Sequence, residues 1–223
     1  GGSMHISDPN IGILGANGIV GGGFGIATGA GLSAKMRNSD QVALCFFGDG
    51  ASNQGIFHES INLASIWNLP VIYLCEHNMY GLTGPASEML SIENISNRST
   101  SYDIPGETID GNNVIEVYQA VNNAKKRALR GEGPTLIEAK TYRWKGHFVG
   151  DPCVYRRDDE VKEWKKRCPI KRHEDYLLKE NIANKDQLDK INIEIEEEIK
   201  TAVEYAKESS EPEKDSLYED LFA

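Results

Sequence analysis

Residues 48–81 read GDGASNQGIFHESINLASIWNLPVIYLCEHNMYG, and this stretch decides the fold of the chain. It opens with an aspartate between two glycines and closes with an asparagine and a tyrosine in a polar turn. Apolar residues recur at helical spacing over residues 53–67, and the sequence Asn68-Leu69-Pro70 ends that predicted helix. Residues 71–75 are a short apolar run of the length typical of a buried strand.

The residues before this stretch supply another strand. Residues 41–47, QVALCFF, are almost entirely apolar, which predicts a strand buried on both faces, as in a parallel sheet. The order strand, turn, helix, strand is that of a right-handed βαβ crossover. The sequence therefore predicts an α/β fold in which helices flank a parallel sheet.

The remaining sequence predicts how that sheet is extended. Small residues dominate residues 24–36 and predict a helix built for close packing, which is a candidate subunit contact. Alternating strand and helix signals continue at residues 107–110, 113–130 and 135–142. Two polar loops lie between these elements, at residues 82–106 and 143–157.

The character of the chain changes after residue 157. Charged, partly apolar helices are expected at 159–167 and 171–180, and a longer one begins at 186. The acidic run 194–198 is expected to be the solvated face of the last helix. We therefore predict an α/β domain over residues 1–157 and a helical C-terminal extension of it over residues 158–223.

Composition excludes several classes of protein. The 223 residues carry a formal net charge of −10, which disfavours nucleic-acid binding through a general basic field. The four cysteines form no CxxC pair, so neither a disulfide framework nor a zinc site is expected. The sequence contains no signal peptide and no apolar run long enough for a membrane. An enzyme of the cytoplasm, or of an organelle matrix in a eukaryote, is the default prediction.

Polar side chains follow both strands of the βαβ unit at the point where each strand ends. Asp49 follows the first strand and Asn78 the second, so both should lie at the carboxyl edge of the sheet, where ligands bind. Carboxylate and amide oxygens suit Mg²⁺, and Gly48 and Gly50 leave room for backbone N–H groups and a bulky anion. A plain turn at Asp49 and a plain loop residue at Asn78 remain the alternative. The sequence contains neither G-x-G-x-x-G nor the Walker motif, which argues against a nucleotide.

The spacing of these groups resembles a known cofactor motif. Gly48-Asp49-Gly50 is followed by 26 residues and then by His77-Asn78, which is similar to the thiamine diphosphate motif. Blocks along nearly the whole chain resemble the alpha subunits of thiamine-dependent 2-oxo acid dehydrogenases, in particular the alpha chains of acetoin dehydrogenase and pyruvate dehydrogenase. These blocks are GGSMH, LGANGIVGGG, residues 46–81, IDGNN, GPTLIEAKTYRWKGH and GDPCVYR.

The resemblance implies a metal and diphosphate site. Asp49 and Asn78 would bind Mg²⁺ through their side chains, and Tyr80 through its backbone carbonyl. Gly50 and Ala51 would contact the diphosphate of thiamine diphosphate with their backbone N–H groups.

It also implies where the rest of the cofactor and the substrate bind. Gly18 and Val20 match the positions that hold the aminopyrimidine or its link, and His147 matches the catalytic histidine that also contacts the cofactor. His5 is expected in the active-site channel, and His58 is expected to be structural.

The chain departs from the family pattern in three places. His77 replaces the first of two asparagines; this position is expected to be structural, with some influence on the nearby loop. Phe148 stands where animal pyruvate dehydrogenases carry a phosphorylatable serine, so that form of regulation is not expected. The family's chains begin earlier, with a Tyr-Arg pair that touches the diphosphate, so an N-terminal part is expected to be missing from residues 1–223.

The implied activity is C–C cleavage of acetoin or oxidative decarboxylation of pyruvate, with transfer of the two-carbon unit to a lipoyl group. The implied partners are a beta subunit that supplies the glutamate activating the aminopyrimidine, in an α₂β₂ assembly, and the lipoyl domain of an acyltransferase. A small-molecule substrate is expected, and neither nucleic acid nor a membrane. The alternatives are a branched-chain 2-oxo acid dehydrogenase alpha subunit, or a non-catalytic truncated fragment that only binds a partner subunit.

Overall fold

The computed structural model describes residues 4–219. These residues divide into two compact units, one that ends at Arg172 and one that begins at His173. The predicted domains, 1–157 and 158–223, include the terminal residues 1–3 and 220–223, which lie outside the described range. In the part of the chain that is described, no helix is both long and apolar enough to cross a membrane.

The first unit contains a parallel sheet. The strands are β1 (Ala43–Gly48), β2 (Val71–His77), β3 (Tyr80–Gly81), β4 (Gly84–Pro85), β5 (Gly106–Asp110) and β6 (Thr135–Lys140). Four of them form one sheet in the order β1-β2-β6-β5, and every neighbouring pair is parallel. The two-residue strands β3 and β4 form a separate antiparallel hairpin. The predicted α/β fold with a parallel sheet is confirmed.

Helices account for most of the remaining regular structure. They are α1 (Gly22–Met36), α2 (Gly55–Ile66), α3 (Ala86–Met89), α4 (Val114–Leu129), α5 (Asp158–Lys165), α6 (Pro169–Lys179) and α7 (Lys185–Glu208). Helices α1 and α2 pack on one face of the sheet, and α4 packs against β2, β5 and β6 from the other. The βαβ crossover predicted from residues 41–75 is therefore present as β1, α2 and β2.

Strand β2 lies between two hydrophobic cores because its side chains alternate between the faces. Tyr73 and Cys75 belong to the core under α1 and α2, whereas Ile72 and Leu74 belong to the core under α4. The Tyr73 hydroxyl, although buried, lies 2.7 Å from Thr28 Oγ1, so its polar end is satisfied. This strand has the two-sided burial that its apolar sequence predicts.

Strand β1 corrects one prediction. Leu44 is 40% exposed and Phe46 is 61% exposed, whereas Cys45 and Phe47 are buried. The strand was expected to be buried on both faces, but it lies at the edge of the described sheet. Helix α4 covers the opposite face only over β2, β5 and β6, so the second face of β1 is left open.

The loop predicted at residues 82–106 contains short regular segments. It includes β4, α3 and a 3₁₀ helix from Ile95 to Tyr102. Ile95 is fully buried in the core under α1 and α2, together with Leu136 of β6. Ile95 and the partly buried Leu90, Tyr102 and Ile104 therefore hold this segment against the core.

The second unit is dominated by α7. Asn184 begins this helix with a capping box, in which Asn184 Oδ1 accepts the N–H of Gln187 at 2.9 Å and Gln187 Oε1 accepts the N–H of Asn184 at 2.9 Å. Residues 194–198 are exposed, as the prediction of a solvated acidic face requires.

Candidate active site

The carboxyl edge of β1 and β2 brings together the residues predicted to bind a metal. Asp49 follows β1 as the first residue of a 3₁₀ helix that ends at Asn53, and Asn78 follows the neighbouring β2. Helix α2 begins two residues after that 3₁₀ turn, rather than at Asn53 as the periodicity predicts. The tight turn brings the Gly50 N–H to the Asp49 carboxylate.

Asp49 has a carboxylate oxygen that lacks a partner. The residue is 2% exposed, and its Oδ1 accepts the Gly50 N–H at 2.8 Å. Its Oδ2 is buried without a hydrogen bond and lies 3.7 Å from His77 Nε2. Burial raises the pKa of Asp49, against the lowering effect of the Gly50 N–H and of the charges on His77 and Arg143. A buried, unsatisfied carboxylate oxygen of this kind fits a bound cation.

The other two predicted ligands belong to the turn after β2. Asn78 Oδ1 accepts the N–H of Tyr80 at 3.3 Å. The Tyr80 carbonyl accepts a hydrogen bond from Arg143 at 3.2 Å, which leaves its second lone pair free. Among the described residues, no group of three or more His, Cys, Asp or Glu side chains could hold a metal. A carboxylate, an amide and a carbonyl are instead hard oxygen donors, which suit Mg²⁺.

A cavity of about 210 Å³ opens beside Asp49. Its lining includes Gly50 and Gly81, and a Cβ added to Gly50 would lie 3.3 Å from the Gly81 Cα. Glycine at both positions therefore lets the two turns approach closely. The Gly50 N–H, predicted to contact a diphosphate, donates in this structure to Asp49 Oδ1, and Ala51 is buried.

His77 and Glu138 form a buried pair behind Asp49. His77 Nδ1 lies 2.6 Å from Glu138 Oε1, and Glu138 Oε2 accepts the Ser96 N–H at 2.9 Å and the Thr108 hydroxyl at 3.0 Å. Burial raises the pKa of Glu138, but these hydrogen bonds outweigh it and hold the pKa below its usual value. Glu138 was not among the residues predicted for the site, although a charged residue inside an apolar strand was the available signal.

His147 lies in an exposed loop after β6. Its backbone N–H donates to Asp151 Oδ2 at 2.7 Å, and the same oxygen accepts the Tyr155 hydroxyl at 2.7 Å. The His147 N–H, the Cys153 N–H and the Tyr155 hydroxyl lower the pKa of Asp151 to about 2. The His147 imidazole makes no hydrogen bond to any residue in the range 4–219.

Arg143 links this loop to the turn that carries Tyr80. Its guanidinium donates to the carbonyls of Tyr80 and Leu82 and, at 2.9 Å, to the Tyr155 hydroxyl. Sequence reasoning missed Arg143 and Asp151, because only the folded loop shows which backbone groups their side chains reach.

The glycine segment that contains Gly18 and Val20 lies against the start of α2. Both residues are exposed, and a Cβ added to Gly21 would lie 3.1 Å from Ile56 Cγ2. Gly21 has a φ of 84°, a backbone conformation that favours glycine. A Cβ added to Gly18 would lie 4.0 Å from His5 Nε2, so these two predicted site residues are neighbours.

The chain matches one protein family over most of its length. The model of the dehydrogenase E1 component family matches residues 1–215. The alpha subunit of acetoin:2,6-dichlorophenolindophenol oxidoreductase from Bacillus subtilis is 46% identical over this whole chain, which covers 66% of that relative. The corresponding subunit from Cupriavidus necator is 39% identical, with 67% of it covered. The pyruvate dehydrogenase E1 alpha subunit from Rhizobium meliloti is 36% identical over 99% of this chain and 64% of the relative.

A solved structure of a candidate thiamin diphosphate-dependent enzyme from Mycobacterium smegmatis matches 59% of this chain and 24% of its own, with a TM-score of 0.46 and 21% identity. The chain spans about two thirds of the length of the curated relatives named above. These relatives confirm the resemblance found in the sequence, and the chain belongs to the dehydrogenase E1 component family.

Proposed function

We propose that this chain is the alpha subunit of a thiamine-diphosphate-dependent dehydrogenase that acts on acetoin or pyruvate. The relatives named acetoin oxidoreductase and pyruvate dehydrogenase alpha subunits support this assignment. The observation that carries it is the buried Asp49 Oδ2, which lacks a hydrogen-bond partner beside a cavity lined by glycine backbone. An oxygen so placed is suited to a bound divalent metal ion such as Mg²⁺.

Different residues of this chain would bind the two ends of the cofactor. Asp49, Asn78 and the Tyr80 carbonyl would hold Mg²⁺, while the backbone N–H groups of Gly50 and Ala51 would contact the diphosphate. Bound thiamine diphosphate would supply the carbon nucleophile that attacks the carbonyl of the substrate. His147, unpartnered and exposed, would stabilise charge on the substrate, and Gly18 and Val20 would hold the aminopyrimidine.

Completion of the site is proposed to need a partner. A beta subunit would supply the glutamate that activates the aminopyrimidine, in an α₂β₂ assembly. The lipoyl domain of an acyltransferase would then accept the two-carbon unit. The open face of β1 and the exposed Gly18 segment leave apolar surface that is consistent with contacts to other chains.

Calorimetry with thiamine diphosphate and Mg²⁺, with and without a beta subunit, tests the proposal. We expect binding that needs Mg²⁺ and that Asp49→Ala abolishes, because the variant lacks the charged metal ligand. Asp40→Ala, a change of another, exposed aspartate, is the matched control and should bind normally. His147→Ala should bind the cofactor and lose turnover.

Two outcomes would contradict the proposal. Absence of cofactor binding even with the beta subunit would leave only a partner-binding fragment. Normal binding by Asp49→Ala would remove the metal assignment.

The substrate is tested separately in the reconstituted complex. Turnover of acetoin, pyruvate and a branched-chain 2-oxo acid is compared side by side with an artificial electron acceptor. Acetoin or pyruvate should be preferred, and a preference for the branched substrate would replace this assignment.

A further inference from the structure

Arg98 holds the far end of the turn that begins at Asp49. Its guanidinium donates to the carbonyl of Ser52 and, at 2.9 Å, to Asn53 Oδ1. Ser52 and Asn53 are the last two residues of the 3₁₀ helix that starts at Asp49. The guanidinium carbon also lies 5.7 Å from the centre of the Phe57 ring, a distance at which a cation is attracted to the ring. Three contacts therefore fix this arginine against the turn and the start of α2.

The turn has few contacts of its own that hold its shape. A 3₁₀ helix of five residues has few hydrogen bonds, of poor geometry, and Gly50 has no side chain to restrict its backbone. Within the turn, Ser52 Oγ donates to the Asp49 carbonyl at 2.7 Å. The N–H groups of Gly50 and Ala51, which would contact the diphosphate, lie between Asp49 and the residues that Arg98 holds. Their positions therefore depend on how firmly both ends of the turn are fixed.

The segment that carries Arg98 is itself anchored at both ends. It is the 3₁₀ helix from Ile95 to Tyr102. Ile95 is fully buried, and the Tyr102 carbonyl accepts a hydrogen bond from Ser65 Oγ of α2 at 2.6 Å. A binding group is held precisely only when the residues that support it are fixed in turn, and Arg98 meets that condition.

Asn53 connects Arg98 to the cavity beside Asp49. Asn53 lines this cavity, and its Nδ2 donates to the carbonyl of Met89, another lining residue, at 3.2 Å. Because Arg98 donates to the amide oxygen and Met89 accepts from the amide nitrogen, the Asn53 side chain has one orientation. The positive charge of Arg98 thus lies one hydrogen bond from the cavity lining, where it favours a bound anion.

We infer that Arg98 is a positioning residue for diphosphate binding. By holding Ser52 and Asn53, it keeps the turn in the arrangement that receives the diphosphate. The inference rests on the proposed function, because it concerns the same site. Arg98 acts through the turn, so its loss should weaken binding of the cofactor and leave the chemical step unchanged.

The test measures turnover of the full chain with the beta subunit, Mg²⁺ and thiamine diphosphate. Arg98→Met keeps an unbranched apolar stem near Phe57 but loses the charge and both hydrogen bonds. Its apparent KM for thiamine diphosphate should rise about 10- to 100-fold, as when residues that support a ligand-binding group are changed. Its kcat at saturating cofactor should stay within about twofold. Arg98→Lys keeps the charge without the planar fork, so its KM should rise less.

Inorganic pyrophosphate separates the diphosphate from the rest of the cofactor. With Mg²⁺ it should compete with thiamine diphosphate, because it binds the same turn. Its inhibition constant should rise in Arg98→Met by the same factor as the KM for the cofactor. A rise for thiamine diphosphate alone would mean that Arg98 acts on another part of the cofactor and would overturn the inference.

The matched control is Arg37→Met. Arg37 also donates to one backbone carbonyl, that of Ser33, and to one amide oxygen, that of Gln41, but it does so at the C-terminal end of α1. This variant should keep the KM, the inhibition constant and kcat. Circular dichroism and thermal melting show whether each variant is folded. Should Arg98→Met fail to fold, Arg98→Lys carries the same test with a smaller expected rise.

The outcomes separate this inference from the proposed function. If Asp49→Ala abolishes cofactor binding but the folded Arg98 variants keep both constants, or lose kcat instead, then Arg98 has no positioning role. If Asp49→Ala binds the cofactor normally, then the proposed metal site is wrong, whatever the Arg98 variants do.

Discussion

Two glycines of α1 provide a sharp test of the packing between this helix and the sheet. A Cβ added to Gly31 would lie 2.4 Å from Val71 Cγ2 and 3.5 Å from Leu69 Cβ, whereas a Cβ added to Gly29 would meet nothing within 4 Å. Each change to alanine gains up to about 1 kcal/mol of helix propensity. Only Gly31→Ala overpacks the core, at a cost of about 1–3 kcal/mol.

The propensity gain is shared, so the difference between the two variants isolates the steric cost. We expect Gly29→Ala to be slightly stabilised and Gly31→Ala to be less stable than it by about 1–3 kcal/mol. Each kcal/mol corresponds to about 2–4 °C in melting temperature for a chain of this size. Tryptophan fluorescence during urea or thermal unfolding reports on the first unit, where Trp67, Trp144 and Trp164 all lie. Equal shifts in both variants would refute the close contact between α1 and β2.

Three further predictions follow from buried or well-bonded groups. Glu138→Ala leaves the Ser96 N–H and the His77 Nδ1–H buried without their acceptor, so unfolding in urea should show a loss of about 2–6 kcal/mol, at about 1–3 kcal/mol for each group. Glu76→Ala, which changes the one exposed residue of β2, is the control. Burial raises the pKa of Cys45 to about 12 and that of Cys75 well above its usual value, so little thiolate exists at pH 8. Iodoacetamide should therefore label both cysteines only after unfolding, and labelling of the folded chain would contradict their burial. The pKa of Asp151 is lowered to about 2, so its carboxylate stabilises the His147 loop at any pH above the pKa of an aspartate in the unfolded chain, and this stabilisation is lost as the pH falls toward 2. Asp151→Asn should therefore speed trypsin cleavage at residues 145–157 at neutral pH. An unchanged cleavage rate would show that Asp151 does not stabilise the loop.

The sequence predicted those parts of the fold that depend on local pattern. The apolar run of β2 and the polar residues after β1 and β2 were enough to place Asp49 and Asn78 at one edge, because parallel strands end together. The exposure of one face of β1 could not be predicted in this way, because an apolar strand sequence does not indicate whether a helix covers both faces of the strand.

The contacts of His77 and Glu138 behind Asp49 could not be predicted from the sequence either. His77 and Glu138 are 61 residues apart and meet only because β6 lies beside β2, an order that no local pattern gives. The orientation of the His147 loop likewise depends on hydrogen bonds that Asp151 makes after folding. The domain boundaries at 157 and 158 and the roles of the individual site residues stay predictions.

The open face of β1 has a consequence for handling the protein. Proteins usually guard an edge strand with a lysine, a proline or a bulge, and the β1 sequence ALCFFG has neither a charge nor a proline. An unguarded edge with a half-exposed leucine and phenylalanine invites intermolecular strand pairing at the concentrations used for crystallisation or NMR. Phe46→Lys places a charge on that edge and points away from the buried side of β1. It should keep the isolated chain monodisperse in light scattering at concentrations where the unmodified chain aggregates.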